Sequence, residues 1–151
     1  MEKIDVNDIP FVDYRGKCLV ESRECGNLVF LSGFGCDNPE TPDAGPMWTG
    51  AAGSVKTVDE AYEAAQWIAF MHIDCLRRKY RLENVESVVR AFGLIEADDS
   101  FADFDAAFDG YSDAMAAVFG DRGKHVRTVM GTRHLPNNQT VEIEAIVKLR
   151  G

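Results

Sequence analysis

The chain reads as an α+β protein, a mixed sheet with two helices packed on one face. Three observations lead there. Five short runs rich in β-branched and aromatic residues are spread along the 151 residues, and two long stretches repeat apolar residues at helical spacing. Their order along the chain is β-β-α-β-α-β-β. A sheet with both helices on one side keeps an uncovered second face, and self-association is one way to bury it.

The first strands are read at Lys17–Arg23 and Asn27–Ser32, after an N-terminal extension at 1–15. Between them "ECGN" is a tight hairpin turn in which Gly26 and Asn27 can take positive φ. Prolines and glycines crowd residues 34–56, so this stretch is a long loop, and long loops are more often functional than short ones. Trp48 and Met47 inside it either cap a pocket or anchor the loop to the body, and anchoring is the simpler role.

The first helix starts at "TVDEAYEAAQWIAFMHIDCLRRKY". Thr57 with Glu60 makes a capping box, and the acidic first turn and basic last turn both suit the helix dipole. Ala61, Ala64, Ala65, Ile68, Met71, His72 and Cys75 give one broad apolar face of small residues that can sit close to a sheet. On its edge, His72 reads as a hydrogen-bonded structural histidine. "VESVVRAFGLIEA" is a strand. A second helix runs from about Ser100 to Phe119 with an aromatic stripe (Phe101, Phe104, Phe108, Tyr111) that belongs to the core, and Gly120 ends it. The last strands, Val126–Arg133 and Val141–Leu149, are joined by "HLPNNQT".

Composition narrows the function. One domain fits the length, 1–151, and 46% hydrophobic with 27% charged residues is ordinary for a soluble globular protein. With no apolar run fit to cross a bilayer and no signal-peptide pattern, the expectation is a cytoplasmic protein with no membrane partner. A net charge of -9 argues against nucleic acid, although Arg122, Lys124, Arg127 and Arg133 crowd together in sequence. Those cations read mostly as solvated loop and strand-end charges. Cys18, Cys25, Cys36 and Cys75, with His72, His125 and His134, show no metal-ligand spacing and read as buried or half-buried free thiols and isolated histidines.

The last two strands carry the unusual charges. Alternation puts His125, Arg127 and Val129 on one face of their strand, and Glu142 and Glu144 on one face of the next. If these strands pair as a hairpin, Arg127 and a glutamate lie near one another. Spacing does not separate a cross-strand ion pair from a pocket for an anionic, nitrogen-bearing substrate.

"NLVFLSG", the capped alanine-rich helix, and "AFGLIEADDSFADFDAAFDGYSDAMAAVFGDRGKHVRTVMGTRHLPNNQTVEIEAI" together resemble the Rid (YjgF) family of enamine/imine deaminases, from about Lys17 to Leu149. The resemblance implies a chorismate-mutase-like fold, a homotrimer with pockets between subunits, a small-molecule substrate, and no cofactor. It places Arg127 at the family's carboxylate-binding arginine, Glu142 at the glutamate that handles the catalytic water or substrate nitrogen, and Gly33 at a glycine lining the pocket. Departures change the walls. Val129 stands for a common cysteine and leaves only its backbone to contribute, Asp105 for a pocket asparagine, Leu19 for a tyrosine, and His125 for a proline. Asp105 either points inward, to hold an amino or hydroxyl group, or lies on the wet side of its helix. His125 either lines the pocket mouth or is an edge histidine.

The activity this implies is hydrolysis of a small carboxylate-bearing enamine or imine, such as 2-aminoacrylate, to a 2-oxo acid and ammonia. Two alternatives remain, a pathway-specific deaminase of a larger, aminomuconate-like amino acid and a non-catalytic metabolite-binding trimer. An endoribonuclease is the weakest option, given the acidic composition and the lack of a paired acid and base histidine.

Overall fold

The computed structural model describes residues 19–38 and 45–151. The N-terminal extension, Lys17, Cys18 and loop residues 39–44 fall outside them. The elements are β1 (Ser22–Cys25), β2 (Leu28–Phe34), α1 (Val58–Tyr80), β3 (Val85–Glu96), α2 (Phe104–Phe119), β4 (Val126–Thr132) and β5 (Val141–Leu149). They build one mixed sheet in the order β1-β2-β5-β3-β4, antiparallel except for the parallel pair β3–β4. This is the expected α+β architecture.

Boundaries moved where turn chemistry intervened. β1 starts at Ser22 and runs to Cys25, because the turn is the two residues Gly26–Asn27, with Cys25 paired to Leu28. Positive φ falls on Gly26 alone and Asn27 stays out of that region. α2 starts at Phe104, four residues later than expected. The Asp98 carboxylate accepts from the backbone N–H groups of Ser54 and Ser100 and from the Ser100 hydroxyl. That turn uses the residues the helix would have needed.

α1 begins as read: Thr57 Oγ1 accepts from the Glu60 N–H while Glu60 reaches back to the Thr57 N–H. Its alanines Ala61, Ala64 and Ala65 are fully buried. Phe108 and Tyr111 of α2 are fully buried too, each contributing roughly 1.5–3 kcal/mol of burial free energy. His72 is a core residue. Its Nε2 lies 3.1 Å from the Ser32 carbonyl oxygen, which can only accept, so Nε2 carries the proton and Nδ1 accepts from the Tyr111 hydroxyl at 2.9 Å. Cys36 and Cys75 are buried thiols, whereas Cys25 is exposed at the end of β1.

Facing residues in the register point to the same side of the sheet. One row is Leu31, Ala145, Ala91 and Arg127, followed on that side by Ile143, Gly93 and Val129. It faces the helices. The alternate rows, Phe30–Ile146–Arg90–Val126, Glu144–Phe92–Thr128 and Glu142–Leu94–Met130, face away from them. Among the described residues nothing covers that second face, which mixes the Arg90–Glu144 ion pair and Glu142 with large apolar side chains, Phe30 43%, Val126 68% and Met130 53% exposed.

Burial pushes the His72 imidazole down to about 4 from 6.5. Between those values the unfolded chain takes up a proton that the fold refuses, so stability falls as pH drops. About 3 kcal/mol should be lost by pH 4. In urea titrations between pH 7 and pH 4, His72→Gln should be less stable at pH 7 and should lose this part of the slope. Equal slopes in the two proteins would contradict the assignment.

Candidate active site

Two groups of polar side chains stand out, one on each side of the sheet. The first surrounds Glu142. β5 and the turn before it carry Glu142, Gln139 and Asn137, and β2 with its continuation supplies Gly33 and Asp37. Together with Leu19 they line an open hollow of about 270 Å³. Gln139 Nε2 donates to Glu142 Oε2 at 2.8 Å and fixes the carboxylate. Gly33 and Gly35 leave the room these side-chain ends occupy: an added Cβ would lie 2.7 Å from Glu142 Oε1 and 1.6 Å from Gln139 Oε1 and would push the carboxylate and the amide aside. Burial pushes the Glu142 carboxyl above the ordinary glutamate range, the Gln139 amide pulls it back, and nearby Asp37 and Glu144 push it up again.

The turn "LPNNQT" is held from several sides. Asn137 and Asn138 both take positive φ, which asparagine tolerates better than most residues. Leu135 N–H donates to Glu96 Oε2, Thr140 Oγ1 donates to the Gly50 carbonyl, and Thr140 N–H to the Trp48 carbonyl. Trp48 packs against Trp67 of α1 with ring centroids 6.2 Å apart. Its loop is thus anchored to the body.

The second group surrounds Arg127 in the cleft between β4 and α2. Its Nη1 donates to Asp109 Oδ1 at 2.6 Å and to Ser112 Oγ at 3.0 Å, and Nη2 donates to Asp105 Oδ1 at 3.2 Å. The guanidinium carbon stands 5.5 Å from the Phe108 ring centroid. His125 Nδ1 faces the Gly123 carbonyl at 2.7 Å and must donate there, so Nε2 accepts from the Ser112 hydroxyl at 3.2 Å. Burial, and secondarily the Arg127 charge, lower the His125 basicity, while the Gly123 carbonyl opposes them. Val129 is half-buried one step further along the same face.

The structure therefore gathers Asp105, His125, Arg127 and Val129 on the helix side, and Gly33 and Glu142 on the other. The expectation that a hairpin brings Arg127 beside a glutamate fails, because β3 lies between β4 and β5. Among the described residues no glutamate pairs with Arg127; two aspartates of α2 do. Asp105 turns toward the arginine yet stays 84% exposed.

Gln139, Asp37, Asp109 and Ser112 were not singled out from the sequence. Asp105, Asp109 and Ser112 recur at i, i+4 and i+7, a polar stripe beside the aromatic one, and that spacing was readable. Gln139 was not readable, since its reach to Glu142 depends on the turn conformation. The four clustered cations are each engaged: Arg122 with the Val85 carbonyl, Lys124 with Asp121, Arg127 as above, and Arg133 with Asp99.

No family model matches the chain, and no curated protein does. Solved structures do. The chain is similar to a protein of unknown function from Agrobacterium tumefaciens, at 27% identity and a TM-score of 0.80, over 87% of this chain and 82% of that one. It is similar to a candidate endoribonuclease from Shewanella oneidensis, at 22% identity and a TM-score of 0.86, over 94% and 92%. A candidate endoribonuclease L-PSP from Entamoeba histolytica gives 20% identity and a TM-score of 0.59, over 93% and 95%. The fold is the chorismate-mutase-like one of these neighbours.

The Gln139 amide is the group that holds the Glu142 titration down. Gln139→Leu should move the Glu142 carboxyl to still higher pH, read by carbon NMR titration of labelled glutamate. No movement would mean that the hydrogen bond is not formed in solution.

Proposed function

We propose that the protein hydrolyses a small carboxylate-bearing imine to a 2-oxo acid and ammonia, at sites shared between the subunits of a homotrimer. The observation that carries this reading is the Glu142 carboxylate, fixed by Gln139 over Gly33 in an open hollow. The large apolar side chains Phe30, Val126 and Met130, exposed among the described residues on that sheet face, support the assembly, since patches of this kind mark contact surfaces. In the assembly, the Glu142 hollow of one copy faces the Arg127 cleft of the next, so one cavity receives what a single copy keeps on opposite faces.

The chemistry follows from the two groups. Among the described residues Arg127 uses three of its N–H donors, and the other two remain for a substrate carboxylate. A guanidinium grips a carboxylate with directional, charge-assisted bonds and so fixes the imine carbon relative to a water. Glu142 orients that water and accepts its proton as the C–O bond forms. That proton passes to the nitrogen as the C=N π bond becomes its N–H bond, giving a carbinolamine. Glu142 then takes the hydroxyl proton as the C=O bond forms and delivers it to the nitrogen, the C–N bond breaks, and ammonia leaves. The imine carbon is itself electrophilic, so no further cofactor is invoked. Because Glu142 must be ionised and its carboxyl titrates high, the acid limb of activity should lie above the ordinary glutamate range.

A second hollow, of about 320 Å³, favours a longer substrate as the other reading. It lies where the end of β4 meets the start of α2, between Phe101, Phe104, Thr132 and Arg133. Rates on short and long imines separate the two. RNA is not proposed, since the four clustered cations already face acids or a carbonyl of their own chain.

Glu142→Gln should lower turnover by roughly a hundredfold or more with little change in substrate affinity. Arg127→Ala should abolish hydrolysis while leaving the fold intact. Both are read as ammonia release from an imine generated in situ. Because the site is shared, refolding an equal mixture of the two variants should restore about a quarter of the sites. Wild-type turnover in either variant removes the reading for that residue, and no recovery in the mixture removes the shared site. Tight 2-oxo acid binding without ammonia release from the unmodified protein would make it a binding protein.

A further inference from the structure

The Arg127 cleft carries more negative charge than its arginine needs. Asp109, 2.6 Å from Nη1, is enough to match the guanidinium. Asp105 then adds a second carboxylate 3.2 Å from Nη2, so one cation stands against two anions. Ser112 cannot relieve this, because its proton goes to His125 and its oxygen already accepts from Arg127. With the cleft covered by another copy, as the proposed assembly has it, a substrate bringing only a carboxylate would meet Asp105 as a like charge beside its arginine. The helix dipole explains why an acid is tolerated in the first turn of α2. It does not explain why that side chain turns along the cleft to Arg127 while remaining 84% exposed, with acceptor capacity left over.

We propose that Asp105 selects a substrate carrying a protonated amino group beside its carboxylate, the carboxylate on Arg127 and the ammonium on Asp105. The substrate class is an imine derived from a diamino acid, not a simple 2-imino acid. This rests on the hydrolytic reading above and narrows its substrate. The selection is electrostatic. Bound, the zwitterion leaves the cleft with the same total charge and pairs the surplus carboxylate, whereas a simple anion leaves Asp105 with a like charge beside it.

The test is a chemical-shift titration of the full chain with propionate and with β-alanine, which differ by one ammonium group on the same three-carbon acid. Wild type should bind β-alanine about tenfold or more tightly than propionate, with shifts at Asp105 and Arg127. Asp105→Asn should bring the two affinities to within about threefold, mainly by improving propionate. Since Asp105 is exposed, the substitution should not disturb folding, and a thermal melt checks this. The inference is overturned if propionate binds as well as β-alanine, if neither binds, or if the asparagine variant keeps the full preference. Binding is read without turnover, so the two readings fail separately. A β-alanine preference without ammonia release sinks hydrolysis alone, and ammonia release without the preference sinks the selection alone.

Discussion

The alternation of β5 at the centre of the sheet governs the rest of the molecule. Paired to β2 on one side and β3 on the other, the strand sends Val141, Ile143, Ala145 and Val147 into the helix layer, all but fully buried. The same geometry must send Glu142 and Glu144 to the opposite face. A one-residue slip would place two carboxylates in the core and four apolar side chains outside, at a cost well beyond the stability of a domain this size. The position of Glu142 therefore follows from the core. Gly33 and Gly35 complete the arrangement by giving the Glu142 and Gln139 side chains room against the neighbouring strand.

Central placement of β5 also explains why the two site groups separate. β4 leaves α2 parallel to β3 and takes the outer edge, where four of its seven residues are exposed. Its inward-facing row meets α2, so Arg127 finds Asp105, Asp109 and Ser112 there and not a glutamate. A sheet lies between guanidinium and glutamate within one copy. The exposed apolar side chains Phe30, Val126 and Met130 lie on the side on which Glu142 opens.

Much of this was legible in the chain because local signals and burial agreed. The Thr57–Glu60 box, the period of α1 and the Phe104, Phe108 and Tyr111 stripe of α2 rest on contacts within a few residues, and the structure keeps them, whereas Phe101 falls before the helix. The span of β5, legible from its alternation, is kept by pairing with β2 and β3. His72 was legible as a structural residue by its place on an apolar face. What failed was non-local. Consecutive strands usually neighbour each other, so the nearness of Arg127 to a glutamate was conditional on a β4–β5 hairpin, and the sheet instead puts β3 between them. The start of α2 was lost to the Asp98 turn, whose partner Ser54 lies far away in sequence. Asp109 and Ser112 were visible as spacing but had no meaning until β4 was placed against α2.

The surplus charge at Arg127 bears on how the two groups depend on each other. In an open cleft, water screens Asp105 from whatever Arg127 binds, and the second aspartate matters little. Cover the cleft with the apolar face of another copy and the effective dielectric falls, strengthening each charge interaction roughly fourfold between bulk water and a protein-surface environment. The same closure that brings Glu142 to the substrate would then make Asp105 discriminate. Hydrolysis and selectivity would both be properties of the assembly. A lone chain, with its glutamate and its arginine on opposite faces, would have the parts of each and the performance of neither.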